Sequence, residues 1–448
     1  MLTGVTRVNL ALALIFSWFI SNGQTPMAFS LSQAQDYAYE NNYDLKNSAT
    51  DVEIARKLVR QNTAIGLPQI NGGIDYIQYL ALPVSLIPGE FAGQPGTYIP
   101  IQFGQEYNAT IQGTVTQLVY SGQYLVGLQT AKAFLEVVKQ VNFKDKMDVR
   151  DVVATSYLTV LLLQEQTSII DSILKVTSSM VGELEAALKL GLVEDIDVEQ
   201  MSLNKSDLEA MLINTNSQLE ISIARLKFNM GLKESQGILL TDSLPVFMNS
   251  LARDYLINQP FDYRYNIDYT ILKKREHQVF MQYKLSKTAY QPTLMGFLSA
   301  SGNAQRSSWN FFNDKYPWYG TANWGLSLSI PIWSSGSRKY AVDQAYLNWE
   351  KVKVNEEKLK TGLDLQVATA KNDFNNAYLV YLNKERGLEV ATKIYVKTMK
   401  KYKEGLAGST DLNQKYNQFL QAEKDYLLSI FNVLTLKIQL ARLLEKVG

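Results

Sequence analysis

Two stretches of the chain, LKLGLVEDIDVEQ (188–200) and YKEGLAGSTDLNQ (402–414), hold the side chains whose types and spacing could do chemistry. In each, a Gly-Leu pair is followed by an aspartate at the same distance: Gly191-Leu192 with Asp197, and Gly405-Leu406 with Asp411. The chemistry on offer is recognition. A glycine suits the left-handed residue that ends a helix, and a carboxylate in the first turn of the next helix is favoured by its dipole. Asp195 and Ser409 are of the type that caps a helix N-terminus. Leu190, Leu192 and Leu406 would stand at the exposed tips of two αα-hairpins.

Material for catalysis is sparse. His277, in KKREHQVF, is the single histidine, and there is no cysteine. Thiolate and multi-histidine zinc sites, the Ser-His-Asp triad and the Cys-His pair therefore lack their parts, apart from arrangements built on His277. No phosphate-cradling or dinucleotide glycine fingerprint is present. The expectation is a protein without enzymatic activity, cofactor or metal.

The elements that must position the two tips follow from the rest of the chain. Residues 1–23 read as a secretory signal peptide: Arg7 without an acid, the apolar NLALALIFSWFI (9–20), then SNG. Its removal leaves 43 basic against 43 acidic side chains, a neutral balance that gives no electrostatic case for nucleic acid. Residues 101–244 and 332–448 contain no proline. Apolar residues at helical spacing, such as Phe134, Val137, Val138 and Val141, predict a long helix over about 122–190, and a second of similar length over about 337–404. Each would extend roughly 100 Å at 1.5 Å per residue. Shorter helices are expected over about 196–231 and 410–446.

Strand alternation appears at about 68–80, 106–120, 292–302 and 321–333. In the second, Asn108, Thr110, Gln112, Thr114 and Thr116 form a polar face against Ile111 and Val115. In the fourth, Asn323, Ser327 and Ser329 oppose Trp324, Leu326 and Leu328. Each strand is long enough to cross a bilayer at a tilt. Aromatics near the strand ends (Tyr76, Tyr79, Tyr107, Tyr120, Trp318, Tyr319 and Trp333) have the composition of an interfacial girdle. An ordinary half-buried sheet shows the same alternation. The signal peptide and the long charged helices favour the membrane reading.

The order helix, strand, strand, long helix, turn, helix is then written twice, over 24–232 and 261–448, with a linker at 233–260. Pro68 matches Pro292, LVYSG (118–122) matches PIWSSG (331–336), and NNYDL (41–45) weakly matches NQPFDY (258–263). Four strands cannot close a barrel, and an open edge cannot face lipid, so spanning requires several chains around one axis.

The chain resembles the TolC-like outer-membrane efflux or secretion channels of Gram-negative bacteria. The residues that carry this are LSQAQDYAYENNYDLK (31–46), Pro68, Pro292, WGLSLSIPIWSSG (324–336) and both Gly-Leu tips. The resemblance implies an α+β membrane protein, a homotrimer with a twelve-stranded β-barrel and a twelve-helix periplasmic barrel, and an equatorial region from the chain ends and the linker. It implies outer-membrane lipid, a periplasmic adaptor (membrane fusion protein) and an inner-membrane transporter as partners, in a tripartite efflux pump or a type I secretion system. The polar strand faces would line the lumen and the apolar ones would meet lipid. Adaptor docking would fall on Leu190, Gly191, Leu192, Gly405 and Leu406, with Asp197 and Asp411 supporting the turns. Acidic residues and ionic ties narrow the tunnel mouth in the family, and Glu183, Glu185, Glu389, Lys400 and Lys401 are the candidates here. The second tip departs from the pattern, with Glu404 where many members have an apolar residue. The alternative is a periplasmic coiled-coil adaptor, which would carry one hairpin between compact β domains rather than two.

Overall fold

The computed structural model describes residues 26–249, 251 and 253–446; residues 1–23, read above as a signal peptide, lie outside them. In order, the elements are β1 (Met27–Phe29), α1 (Leu31–Asn41), α2 (Tyr43–Ala64), β2 (Gln69–Gln78), β3 (Val84–Pro88), β4 (Tyr98–Gln102), β5 (Tyr107–Ser121), α3 (Gly122–Lys189) and α4 (Asp195–Met230). There follow β6 (Ile238–Leu240), α5 (Leu244–Asn249), α6 (Arg253–Asn258), α7 (Ile267–Lys287), β7 (Thr293–Arg306), β8 (Tyr319–Ser329), α8 (Ser337–Lys403) and α9 (Ser409–Leu444). They form two compact units. One holds residues up to Thr50, Gln140–Thr270 and Lys358 onward; the other holds Asp51–Lys139 and Ile271–Glu357.

The second unit contains a four-stranded antiparallel sheet in the order β2-β5-β7-β8. Proline stands just before two of its strands, at Pro68 and Pro292, where its missing N–H interrupts no ladder. The last strand stops at Ser329 instead of running to 333. Pro331 has no N–H to offer a neighbour, and Trp333 lies beyond the strand, exposed. The segment between β2 and β5 carries its own hairpin, β3 with β4.

Register, which fixes the face of every side chain, brings the polar rows of the separate strands together. Thr110 pairs with Asn303, and Thr114 with Ser299, which in turn pairs with Asn323. Gln112 pairs with Ser301, Asn108 with Gln305 and Thr116 with Phe297, while Ser327 and Ser329 continue the row opposite Met295 and Thr293. Two cross-strand hydrogen bonds run along this face, Thr110 Oγ1 to Asn303 Oδ1 at 2.8 Å and Thr114 Oγ1 with Ser299 Oγ at 3.3 Å. The opposite face aligns Ile70, Val115, Leu298 and Trp324 in one row and Ile74 with Ile111 in another, with Leu326 and Leu328 further along. A bulge at Val119 shifts the register of β5 by one residue. It turns Tyr120 onto the apolar face opposite Leu294, where strict alternation would have put it on the polar one.

The first unit is held by helix packing. Its core joins Ala34, Ala38, Val153, Tyr157, Leu226, Phe374, Val433 and Leu440, drawn from α1, α3, α4, α8 and α9. Among the described residues α9 is the helix apolar enough in one window to cross a membrane. Its Leu427, Ile430, Val433, Leu434 and Leu440 are instead buried in this core.

Tyr157 ties the chain start to the linker. Its buried hydroxyl donates to Phe29 O at 2.9 Å or to Asp242 Oδ2 at 3.1 Å and accepts from Asp242 N at 3.3 Å, while Leu31 N donates to Asp242 Oδ2 at 2.7 Å. The strand pair β1 and β6 runs parallel beside it. Tyr157→Phe keeps the ring and strands these partners, so unfolding of this unit, followed by denaturant titration, is expected to be easier by about 1–3 kcal/mol.

Glu423, on α9, is half-buried, and burial first, then the neighbouring Glu165, raise its carboxyl above the ordinary value. The folded chain thus holds this proton more tightly than the unfolded one. The destabilisation is absent below the ordinary carboxylate value, grows as pH rises towards the raised value, and is fully present above it. Glu423→Gln is expected to raise the thermal midpoint above that window and to leave it unchanged below, which melts across a pH series would read.

The second copy of the repeat begins differently from the sequence match. Asn42 and Asn266, both buried, stand just before α2 and α7. Asn42 Oδ1 accepts from Leu45 N at 3.1 Å, and Asn266 Oδ1 from Asp268 N at 2.9 Å. Their partner is therefore NYDL with NIDY, in the same frame as Pro68 with Pro292, and not the NQPFDY stretch. The linker at 233–260 contains β6, α5 and α6, and one expected helix before the first strands is two, α1 and α2, broken at Asn42.

Candidate functional site

The two hairpin tips close with the same hydrogen bonds. After α3, Gly191 adopts φ +70°; its N–H donates to Leu188 O at 2.9 Å, and Leu192 N donates to Ala187 O at 3.0 Å. After α8, Gly405 adopts φ +74°; its N–H donates to Tyr402 O at 3.0 Å, and Leu406 N donates to Lys401 O at 2.8 Å. Each is a Schellman motif, in which the left-handed residue lets the chain satisfy the last carbonyls of the helix. No atom lies within 4 Å of where a Cβ on either glycine would sit, so backbone conformation alone requires glycine.

The following helices start one residue earlier than the side-chain types indicate. Glu194 and Gly408 are the cap residues, extended and without a side-chain cap bond, and Asp195 and Ser409 are the first helical residues. Asp195 Oδ1 accepts from Ile196 N at 2.8 Å. Asp195 and Asp197 in one first turn, and Asp411 in the other, still lie where the helix dipole favours a carboxylate.

The tips are neighbours. Met180, Val181, Leu184, Met201 and Leu412 form one small core under both, with Val193, Val198, Tyr395, Met399 and Tyr402 packed around it. Above it opens a cavity of about 850 Å³, lined from both hairpins by Ala187, Leu192, Asp197, Tyr402, Gly405 and Ser409 among others. Leu190, Leu192 and Leu406 are each more than 70% exposed, against the burial expected of leucine in a finished fold.

Lys403 Nζ lies 3.2 Å from Glu183 Oε2 and links α8 to α3. Of the five ionic candidates, Glu183 thus reaches the other hairpin, while Glu389 pairs with Lys393 one turn along its own helix. Lys403 and Tyr402 escaped the sequence reading. Their signal was their place in the last turn before Gly405. Burial, then Asp197, raises the Tyr402 phenol, whose hydroxyl has no hydrogen-bond partner among the described residues. This arrangement of exposed leucines, a polar cavity and helix-end charges can bind a protein surface.

Residues 272–445 match the family model described as outer membrane efflux protein. A search of curated proteins finds no relative of the chain by sequence. Solved structures are similar over nearly the full length. The outer membrane protein VceC of Vibrio cholerae matches with TM-score 0.67 at 14% identity, over 93% of this chain and 96% of that one. The outer-membrane channel CmeC of Campylobacter jejuni gives 0.68 at 14%, over 92% and 85%. The open-state outer-membrane channel MtrE of Neisseria gonorrhoeae gives 0.69 at 15%, over 92% and 88%. The matched family is one of efflux proteins, not enzymes, in agreement with the sparse catalytic material of the sequence. Residues 272–445 thus resemble the outer membrane efflux protein family, and the chain as a whole shares the α+β fold of these solved outer-membrane channels.

Proposed function

We propose that the protein is the outer-membrane exit duct of a tripartite efflux pump or type I secretion system, a passive conduit worked by an inner-membrane transporter through a periplasmic adaptor. The observation that carries this is the sheet: four strands of 10 to 15 residues, one face largely polar, the other largely apolar and mostly exposed, with β2 and β8 unpaired on their outer sides among the described residues. In hydrocarbon such edges must be satisfied by another chain. The strands alternate in direction, so β8 of one copy meets β2 of the next antiparallel, a head-to-tail contact that closes as a ring. Three copies give twelve strands.

On this reading the row of Asn108, Thr110, Gln112, Thr114, Thr116, Asn323, Ser327 and Ser329 lines the lumen. Ile111, Val115, Trp324, Leu326 and Leu328 meet lipid. The adaptor docks on the exposed leucines of the tips, and the Glu183–Lys403 pair belongs to the closed mouth. That pair is half-exposed on both sides, so it supplies at most about 1 kcal/mol and weakens with salt.

Imaging of particles extracted from outer membranes in mild detergent tests the proposal. A threefold tube with a helical shaft is the expected result. A compact monomer would overturn it.

A further inference from the structure

The apolar face of the sheet is covered at one end. Helices α2, α3, α7 and α8 join the strands at one end of the sheet, and residues 307–318 connect β7 to β8 at the other. This connection does not stand clear of the strands. Phe311 is buried against Ala109 and Ala304, and its ring meets Tyr76 edge-on at 6.0 Å. Register puts Tyr76, Ala109 and Ala304 on one face with Ile74, Ile111 and Trp324.

Two more anchors act on the same face. Arg306, opposite Tyr107, turns its guanidinium into the connection, donating to Tyr316 O and to Pro317 O, each at 3.0 Å. The Trp318 ring lies against Gly302, 3.6 Å from where a Cβ would be, and its Nε1 donates to Phe311 O at 3.3 Å. The small residues Ala109, Ala304 and Gly302 make the shallow seat that this requires. Once the segment is seated, Trp309 (60% exposed), its ring edge-on to Phe311 at 6.2 Å, and Phe312 (86% exposed) remain open to the surroundings, next to the exposed Asp314 and Lys315.

We infer that residues 307–318 form a lipid anchor, laid against the outside of the barrel wall with Trp309 and Phe312 in the headgroup–acyl boundary of the outer leaflet. Aromatic rings beside charged residues are the composition of that boundary. The segment is seated mainly on β5 and β7, the two inner strands, and reaches the edge strand β2 at Tyr76 alone among the ring contacts of Phe311 with the sheet. Lipid is therefore the surface it meets. The inference rests on the proposed reading that the apolar face is lipid-facing.

The chain has no cysteine, so a single introduced one can carry a nitroxide label uniquely. Phe312→Cys, Leu326→Cys and Ser327→Cys, each in the full chain reconstituted in phosphatidylethanolamine–phosphatidylglycerol vesicles, would be compared for collisions with oxygen, which enters hydrocarbon, and with a water-soluble nickel chelate. Trp309→Cys stands in should Phe312→Cys not assemble. The expected result is oxygen-dominated relaxation at 312 and 326 and chelate-dominated relaxation at 327. Chelate-dominated relaxation at 312 with oxygen still dominant at 326 overturns the anchor and leaves the lipid face standing. Protection at 312 from both agents overturns it in favour of a contact with another copy. Chelate dominance at 326 removes the lipid face itself, and the anchor with it.

Discussion

Leu326→Arg is expected to abolish assembly of the protein in the outer membrane, whereas Ser327→Arg, one residue along the same strand, is expected to leave it intact. The two positions share backbone conformation, strand and depth, and differ in face: Leu326 lies opposite Gly296 on the apolar side and Ser327 opposite Met295 on the polar side. Leu326 is largely exposed in the single chain, and Gly296 beside it presents no side chain, so crowding does not account for a loss there. The cost is that of an arginine in hydrocarbon, about 2–4 kcal/mol at the bilayer midplane and less towards the interface. It is incurred once per copy in a ring, which multiplies the penalty on closure relative to a single strand. In a water-filled lumen the same side chain keeps its hydration. Extraction from membranes followed by sizing under mild detergent reads the outcome directly. Equal behaviour of the two variants, or the reverse order, would sink the assignment of the faces.

That contrast also shows what the sequence carried and what it did not. The polar and apolar rows of β5 and β8 are visible as alternation, because a strand has period two and each row is written within a few residues. The register that joins the rows across four strands is a long-range property, and it needed the structure. The bulge at Val119 is invisible to alternation for the same reason: only the partner β7 reveals that two residues oppose one. The long helices are legible from proline-free apolar periodicity, yet the last is apolar enough in one window to imitate a membrane span. The packing of Leu427, Ile430, Val433, Leu434 and Leu440 into the helical core is a long-range contact that such a window does not carry.

At the tips, the repeated spelling showed the turns, since a left-handed residue after a helix is chemically narrow. The ion pair between Glu183 and Lys403 was not legible. A charge on a long helix has many solvated positions, and the partner lies on a different hairpin. The repeat frame went astray at the start of the second copy for a related reason. NQPFDY resembles NNYDL in composition, whereas Asn266 matches Asn42 in its hydrogen bonding, a likeness of geometry rather than of neighbouring letters.

Gly191→Pro and Gly405→Pro are each expected to abolish adaptor-dependent export while the barrel still assembles. Three effects coincide at each site. Proline holds φ near −65°, whereas these residues sit at +70° and +74°. Its missing N–H breaks the bond to Leu188 O or Tyr402 O that closes the Schellman turn. It also biases the preceding residue, Leu190 or Glu404, away from helical backbone in the last turn. Together these exceed the roughly 3 kcal/mol of a proline inside a helix, enough to redirect the exposed leucines and open the cavity they border. The damage stays local, because the strands lie in the other unit and are held by their own ladder. Alanine at either position adds no clash and brings only the left-handed penalty of about 1–2 kcal/mol. Export by the alanine variants should therefore be reduced and not lost. Transport in cells that depend on this protein, set beside the amount of it assembled in the outer membrane, separates the two effects. If both proline variants assemble and export normally, the tips do not dock the adaptor; if one alone fails, docking belongs to that tip and the other turn is repeated for the fold.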